Sequence, residues 1–167
     1  MNDVVDGATY PVPGSTAHID DAFLADRAAI LDLVAAYGIY YDSGDFETLG
    51  DLFTEEASFV LNPPPEGFPQ SITTRAHIVQ ALSTLYRQHT VTRGVYHRHV
   101  TTNTVIDRID GATADTRSLL VVVLTSVDDQ QELGPSGFYL DHLEKRGHRW
   151  RIASRNLRFR DLPRVTG

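Results

Sequence analysis

The order of its segments is the sequence feature that most constrains the fold of this chain. Segments with helical periodicity fill most of the first half, whereas from Tyr96 onward β-branched and aromatic runs alternate with short turn sequences such as "DGA" and "GH". Helices followed by strands joined through tight turns are typical of an α+β fold with an antiparallel meander, and not of a parallel βαβ sheet. At 167 residues the chain fits one such domain.

Three helices are predicted before the long strands. The first begins near Asp20 and ends at Ser43-Gly44, because its apolar residues recur with the i, i+3, i+4, i+7 spacing of one helical face. The second, "DFETLGDLF", has Asp45 as its N-cap, and the third, "TTRAHIVQALSTLYRQ", follows a threonine N-cap. Between them "ASFVL" is predicted to be a strand that stops at "NPPPEGFP", whose prolines cannot join a sheet ladder.

The composition is that of a globular protein in water. Hydrophobic residues make up 41% and charged residues 22% of the chain, and no apolar run approaches the roughly 18 residues that span a bilayer. Residues 1–18 are rich in Gly, Pro, Ser and Thr, which predicts a flexible arm before a single domain at 19–163. The first residues lack the basic and apolar regions of a secretory signal, so we expect a cytoplasmic protein without a membrane partner.

Charge and missing motifs exclude several functions. A net charge of −7 disfavours nucleic acid, and the basic stretch "KRGHRWRIASRNLRFR" divides its arginines between two strand faces with few aromatic residues between them. The absence of cysteine removes thiolate nucleophiles and zinc–thiolate sites. Because dinucleotide, P-loop, serine-hydrolase and H-E-x-x-H motifs are also missing, we expect no cofactor.

Three segments resemble one protein family. "YYDSGDFETLGDLFTEEASF", "HRHVTTNTVID" and "GFYLDHLEKRGHRWRIASRNLRF" are similar to the SnoaL-like members of the nuclear transport factor 2-like superfamily, over roughly residues 22 to 160. The resemblance implies a cone-shaped α+β fold, in which three N-terminal helices pack in a strongly curved mixed or antiparallel sheet around a deep pocket. The superfamily contains dehydratases, isomerases, cyclases, epoxide hydrolases and binding proteins, so the fold alone does not decide the function.

Within the superfamily the chain looks most like scytalone dehydratase and the bile-acid 7α-dehydratases. Both carry an aspartate at the end of the first helix and a histidine at the start of the long strand, which correspond to Asp42 and His99. The bile-acid enzymes imply catalytic roles for Tyr37 and for an arginine on the last strand, matched here to Arg158. These four residues are the predicted catalytic set.

Scytalone dehydratase implies a different tyrosine and a second histidine. Its tyrosine matches Tyr41, but Arg117 stands where its second histidine would be, so the resemblance to that enzyme is incomplete. A phenol on the first helix is expected to donate a proton, and Tyr37 is the preferred donor. The other reading of each phenol is a core position with a satisfied hydroxyl, and the sequence leaves both open.

Asp42 and His99 can act together only if their side chains are within hydrogen-bonding distance. A carboxylate bonded to one imidazole nitrogen fixes the tautomer and leaves the other nitrogen free as a general base. Alternatively Asp42 caps the turn at Ser43-Gly44, although the pair is the favoured reading. His97 and His99 share a strand face and would bind a metal only with a third ligand such as Asp42 or His142. Without diagnostic spacing we expect no metal, but one histidine in the pocket and the other at the pocket mouth or in the sheet.

Further candidates lie on the later strands. Arg117 heads "RSLLVVVL", which reads as buried on both faces, so this arginine is expected to bind substrate or to pair with Asp141. Arg158, Trp150 and Asn156 are separated by even numbers of residues, so their side chains would share one face of a regular strand. This predicts that all three line the pocket. For both arginines a position in water at the rim is an equal alternative.

Together these residues predict a cofactor-independent lyase or isomerase, of the dehydratase or cyclase type, for a hydrophobic cyclic oxygenated molecule. His99 would remove a proton next to a carbonyl, and Tyr37 with Arg158 or Arg117 would stabilise the enolate. Two alternatives stay open: an epoxide hydrolase using Asp141, and a binding or assembly module resembling a dioxygenase β subunit. Apolar residues on the outer sheet face favour a homodimer or homotrimer.

Overall fold

A computed structural model of the chain describes residues 19–65 and 67–159. The predicted arm at 1–18 and the end of the predicted domain beyond 159 lie outside these residues. In chain order the elements are α1 (Asp21–Ser43), α2 (Phe46–Asp51), β1 (Phe53–Asn62), β2 (Ser71–Thr73), α3 (Arg75–Tyr86), a π-helical segment (Arg87–Thr92), β3 (Tyr96–Asp110), β4 (Thr113–Thr125), β5 (Gln131–Arg146) and β6 (Arg149–Arg158).

The strands form one mixed six-stranded sheet. Its order is β2-β1-β6-β5-β4-β3, and all neighbours are antiparallel except β1 and β6. The predicted α+β class and the three helices before the long strands are therefore confirmed. The short strand β2 was not predicted, and the strong curvature implied by the resemblance stays a prediction. Within the described residues, no helix is both long enough and apolar enough to cross a membrane.

The helix boundaries follow local signals. Gly44 ends α1 in the left-handed conformation with φ 74°, which glycine adopts without the cost that a Cβ brings. Asp45 accepts a hydrogen bond from the Thr48 amide at 3.0 Å and so caps α2 as predicted. Thr74 caps α3 through the amide of His77. These caps determine where the chain turns from each helix toward the sheet.

Burial alternates along β4. Every second residue from Ala114 to Val122 is buried, and the residues between them are partly exposed. The prediction that "RSLLVVVL" is buried on both faces is therefore wrong: one face packs on the helices and the other is the outer face of the sheet. The alternation was hidden because the outer positions are also apolar.

A bulge in β6 changes which residues face inward. Ile152 pairs with Leu143 of β5, but the next pair is Ser154 with His142, so Ala153 has no partner opposite it. One extra residue reverses the facing of everything that follows. Arg155 and Leu157 are consequently buried, whereas Asn156 and Arg158 are only partly buried on the opposite face.

Candidate active site

A cavity of about 660 Å³ lies between the inner face of the sheet, α1, α3 and the π-helical segment. Most of its wall is apolar or aromatic, including Tyr37, Tyr41, Phe59, Leu120, Val122, Tyr139 and Leu157. Polar side chains line it from β3, from the π-helical segment and from the residue that follows this segment, and include Gln88, His89, Arg93, His97 and His99. A mostly apolar wall with a few converging polar groups is the usual form of a small-molecule site.

Asp42 and His99 form a closely bonded pair at this cavity. The His99 ring Nδ1 lies 2.6 Å from Asp42 Oδ1, and the His99 backbone amide donates to Asp42 Oδ2 at 2.7 Å. The turn amides of Gly44 and Asp45 bond to backbone carbonyls of α1 instead. The geometry therefore supports the Asp–His reading and not the turn-capping reading of Asp42.

The close approach of α1 to β3 brings this pair together. A Cβ on Gly38 would lie 2.9 Å from the Cβ of His99, so only glycine allows the helix to pack so near the strand. One helical turn later, the carboxylate of Asp42 then reaches both the backbone and the ring of His99. The two side chains are only 13% and 10% exposed.

This geometry determines the state of the imidazole. Because the carboxylate accepts a hydrogen bond from Nδ1, that nitrogen carries the proton, and Nε2 of the neutral ring is left as an acceptor. His99 contributes to the cavity wall, where its ring packs edge-on against Tyr41 at 4.7 Å and against Tyr37 at 6.2 Å. The imidazole and two phenol rings therefore lie side by side in a mostly apolar cavity wall.

Burial keeps the tyrosines of the wall protonated. It raises the pKa of Tyr37 to about 12, although the positive charge of Arg155 partly opposes the shift. Burial likewise raises the pKa of Tyr41 and of Tyr139. All three phenols are thus hydrogen-bond donors near neutral pH.

Arg155 is the functional candidate that sequence reasoning missed. It is fully buried and forms a bidentate ion pair with Asp141, at 2.8 Å and 2.7 Å. Its guanidinium lies 4.0 Å from the ring centre of Tyr139 and 4.3 Å from that of Tyr37. Burial would lower the pKa of Arg155, but the charge of Asp141 outweighs this effect and the pKa is raised. A permanent positive charge therefore lies behind the cavity wall, in contact with two of its phenols.

Arg158, Asn156 and Trp150 do not line the cavity. The β6 bulge turns the side chains of Arg158 and Asn156 to the outer face of the sheet. The prediction that they share the inward face of Trp150 is therefore wrong. Trp150 does face inward, but it is buried at another part of α1, where its Nε1 donates to Asp26 at 2.9 Å. The apolar residues of β6 change from even positions, Trp150 and Ile152, to an odd position, Leu157, and this change is the sequence signal that could have indicated the bulge.

Arg117 lies on the outer face of β4 and donates two hydrogen bonds of 2.6 Å to the carboxylate of Asp107 on β3. The predicted pairing of Arg117 with Asp141 is therefore wrong, because Asp141 points to the opposite face and is held by Arg155. Neither Arg117 nor Asp141 lines the cavity.

His97 does line the cavity, beside a histidine that was not predicted. Its Nε2 lies 3.3 Å from Nδ1 of His89, which comes from the π-helical segment, and the two rings stack at 5.2 Å. Burial, with the nearby rings of His89 and His99, lowers the pKa of His97 to about 4. His142 is bonded to Asp115 on the outer face, so it cannot be a third metal ligand. Across the described residues, no group of three His, Asp or Glu is arranged to hold a metal.

The chain matches the model of the SnoaL-like domain over residues 22–156. Among solved structures it is similar to Rv3472 of Mycobacterium tuberculosis, a protein of unknown function, with 32% identity, a TM-score of 0.67, and coverage of 85% of this chain and 76% of that chain. None of the curated proteins matches it in sequence.

Two proteins of Novosphingobium aromaticivorans share the fold at lower identity. One, provisionally named a scytalone dehydratase, is 21% identical with a TM-score of 0.67, over 86% of this chain and 89% of that chain. The other, the β subunit of a provisionally identified aromatic-ring-hydroxylating dioxygenase, is 20% identical with a TM-score of 0.68, over 86% and 94%. At these identities the likeness shows the fold alone.

Proposed function

Because this chain belongs to the SnoaL-like domain family, we propose that it is a cofactor-independent lyase or isomerase, of the dehydratase or cyclase type, for a hydrophobic cyclic oxygenated molecule. One observation carries the proposal. The His99 imidazole is held by Asp42 at 2.6 Å on the wall of a mostly apolar cavity. A carboxylate-supported histidine facing a substrate-sized space is the arrangement that general acid–base catalysis requires.

The reaction begins with proton removal. Nε2 of His99 takes a proton from the carbon next to a ring carbonyl, and the electron pair of that C–H bond moves onto the carbonyl oxygen as an enolate. The Asp42 carboxylate stabilises the imidazolium that forms. Tyr37, protonated because of its raised pKa, donates a hydrogen bond to the enolate oxygen.

The imidazolium then returns its proton, and where it goes decides the outcome. Transfer to a β-hydroxyl releases water as the enolate collapses to a conjugated double bond, which completes a dehydration. Where a neighbouring double bond extends the enolate to a dienolate, transfer to its far carbon moves the double bond and gives isomerisation. Attack of the enolate carbon on a second carbonyl, with proton transfer to the new alkoxide, gives cyclisation. One pair of residues serves all three reactions.

Arg155 takes the electrostatic role first assigned to Arg158 or Arg117. Its guanidinium lies against the ring of Tyr37, and its positive charge counteracts the effect of burial on the phenol's pKa. A phenol beside a fixed cation is a stronger hydrogen-bond donor when negative charge develops on the substrate. Arg155 is therefore a positioning residue that acts through Tyr37.

The two alternatives predicted from the sequence are less well supported. Both oxygens of Asp141 are held by Arg155 away from the cavity wall, which disfavours their activating water for epoxide hydrolysis. The likeness to a dioxygenase β subunit is one of fold. A binding or assembly module would need no basic nitrogen held at the cavity by a carboxylate.

Turnover of cyclic β-hydroxy ketones tests the proposal. Water loss is followed by the absorbance of the conjugated product, for the wild type, His99→Ala and the control His142→Ala. The proposal expects wild-type rates in the control and a loss of roughly 10²–10⁴-fold in His99→Ala. If His99→Ala converted an identified substrate at the wild-type rate, the acid–base proposal would be wrong.

A further inference from the structure

Among the described residues, the cavity lining carries one fixed charge. Arg93, just after the π-helical segment, is the only Arg, Lys, Asp or Glu among the described residues that line the cavity. The chain as a whole has a net charge of −7. The described lining residues therefore include one guanidinium and no carboxylate, in contrast to the negative charge of the whole chain, and this difference favours an anionic ligand.

Arg93 differs in its contacts from the two arginines that are paired bidentately with aspartates. Arg117 and Arg155 are each held by both oxygens of an aspartate. Over residues 19–65 and 67–159, Arg93 makes neither a side-chain hydrogen bond nor an ion pair, and its side chain is exposed. Its guanidinium fork is consequently free to bind a ligand.

The position of Arg93 sets the shape of such a ligand. A row of imidazoles leads from His99 to the mouth, with ring centres 6.3 Å apart for His99 and His97 and 5.2 Å apart for His97 and His89. Arg93 is next to His89, whose pKa is lowered first by burial and then by the charge of Arg93. A ligand that reaches both His99 and Arg93 must therefore extend along this row.

We propose that the substrate carries a carboxylate on its ring system, and that Arg93 binds this carboxylate at the cavity mouth while the rings lie on the apolar wall beside His99. The inference rests on the proposed function, because it assigns a substrate class to the same cavity. A guanidinium pairs with both oxygens of a carboxylate. One fixed cation balances the single charge of a carboxylate, whereas a phosphate monoester would bring a second charge without a partner.

Two isosteric probes test this inference by binding alone. The affinities of 2-naphthoate and the neutral 2-naphthamide are measured by calorimetry on the full chain, for the wild type, Arg93→Gln and Arg87→Gln. Arg87 is the matched control, because it is an exposed arginine at the start of the π-helical segment and does not line the cavity. We expect the wild type and Arg87→Gln to prefer the acid by about fivefold and Arg93→Gln to lose this preference. Added salt should weaken the preference.

Several outcomes would overturn the inference. Equal affinities for the two probes in the wild type, an unchanged preference in Arg93→Gln, or no binding of either probe would each do so. The result can be told apart from the test of catalysis. An acid preference that depends on Arg93, together with no turnover of any ketone, would support the carboxylate site and reject the acid–base function. His99→Ala should keep the acid preference.

Discussion

Two aspartate–histidine pairs with nearly the same bond lie on opposite faces of the sheet. In the inner pair, Asp42 and His99 are 2.6 Å apart, with side chains 13% and 10% exposed. In the outer pair, Asp115 and His142 are 2.7 Å apart, both side chains are 38% exposed, and Arg108 also binds the carboxylate at 3.0 Å. The contact is the same, but only the inner pair faces a cavity.

The comparison teaches that a hydrogen bond between aspartate and histidine is not by itself enough for acid–base catalysis. The charge of Asp115 is shared with Arg108 and screened by water and salt, so little of it supports the imidazole. Asp42 acts on His99 in a buried place, where charges interact more strongly. His99 of the inner pair also lines a cavity of about 660 Å³, whereas neither Asp115 nor His142 lines it.

Replacing each carboxylate by its amide tests the difference directly. Asp42→Asn should lower turnover roughly 10²–10⁴-fold, because the amide neither fixes the tautomer nor stabilises the imidazolium. Asp115→Asn should leave turnover unchanged. The measurement is kcat/KM for one ketone substrate with both variants. Equal losses in the two variants would remove the distinction between the pairs.

The two bidentate arginine–aspartate pairs, one buried and one on the outer face, test how far burial determines the contribution of an ion pair to stability. Arg155→Leu leaves Asp141 buried and unpaired, so it should lower the free energy of unfolding by about 3–5 kcal/mol. Arg117→Leu breaks an equally short pair on the outer face and should cost about 0–1 kcal/mol. Urea denaturation measures both. Similar losses would mean that burial does not govern these pairs, and the milder Arg155→Lys serves if the leucine variant does not fold.

Gly38→Ala tests the packing that is special to the inner pair. The added Cβ would lie 2.9 Å from His99 Cβ and push β3 away from α1, so we expect a cost of about 1–3 kcal/mol and a lower kcat. Gly50→Ala is the control, because its Cβ would meet a side-chain methyl of Val79 at 3.1 Å and no atom of His99. Thermal unfolding and turnover of the two variants check this. An active and stable Gly38→Ala variant would argue against the close approach.

The last prediction concerns stability at acid pH. The pKa of His97 is about 4 in the folded protein against about 6.5 in an unfolded chain, so below pH 6.5 the unfolded state binds the additional proton. His97 should therefore make stability fall as the pH drops from 6.5 to 4. In His97→Asn this part of the loss should disappear, as measured by urea unfolding at pH 7 and at pH 4.5. An identical acid loss in variant and wild type would contradict a buried neutral His97.

Much of the fold could be predicted because its signals are local. The glycine stop of α1 and the caps Asp45 and Thr74 need only neighbouring residues, and the turn sequences separate the long strands. The three-residue strand β2 is too short to show a period. Asp42 and His99 are 57 positions apart in the chain, so their contact was predicted from the family resemblance and not from their spacing in the sequence.

The arginines show where sequence patterns fail. A single extra residue in β6 exchanged the faces of Arg155 and Arg158, and period-two reasoning cannot see a bulge. Arg117 was placed inside because apolar residues on the outer face of β4 concealed its alternation. In both cases the error came from sheet register, which depends on the neighbouring strands.

Exchange of a carbon-bound proton tests the central claim most directly, because proton removal precedes dehydration, isomerisation and cyclisation alike. A cyclic ketone such as 1-tetralone is incubated in deuterated water with the wild type, His99→Ala or His142→Ala, and NMR follows deuterium entry next to the carbonyl. The account predicts catalysed exchange with the wild type and His142→Ala, and only the background rate with His99→Ala. Exchange that persists in His99→Ala, or none with the wild type when the ketone is bound, would contradict it.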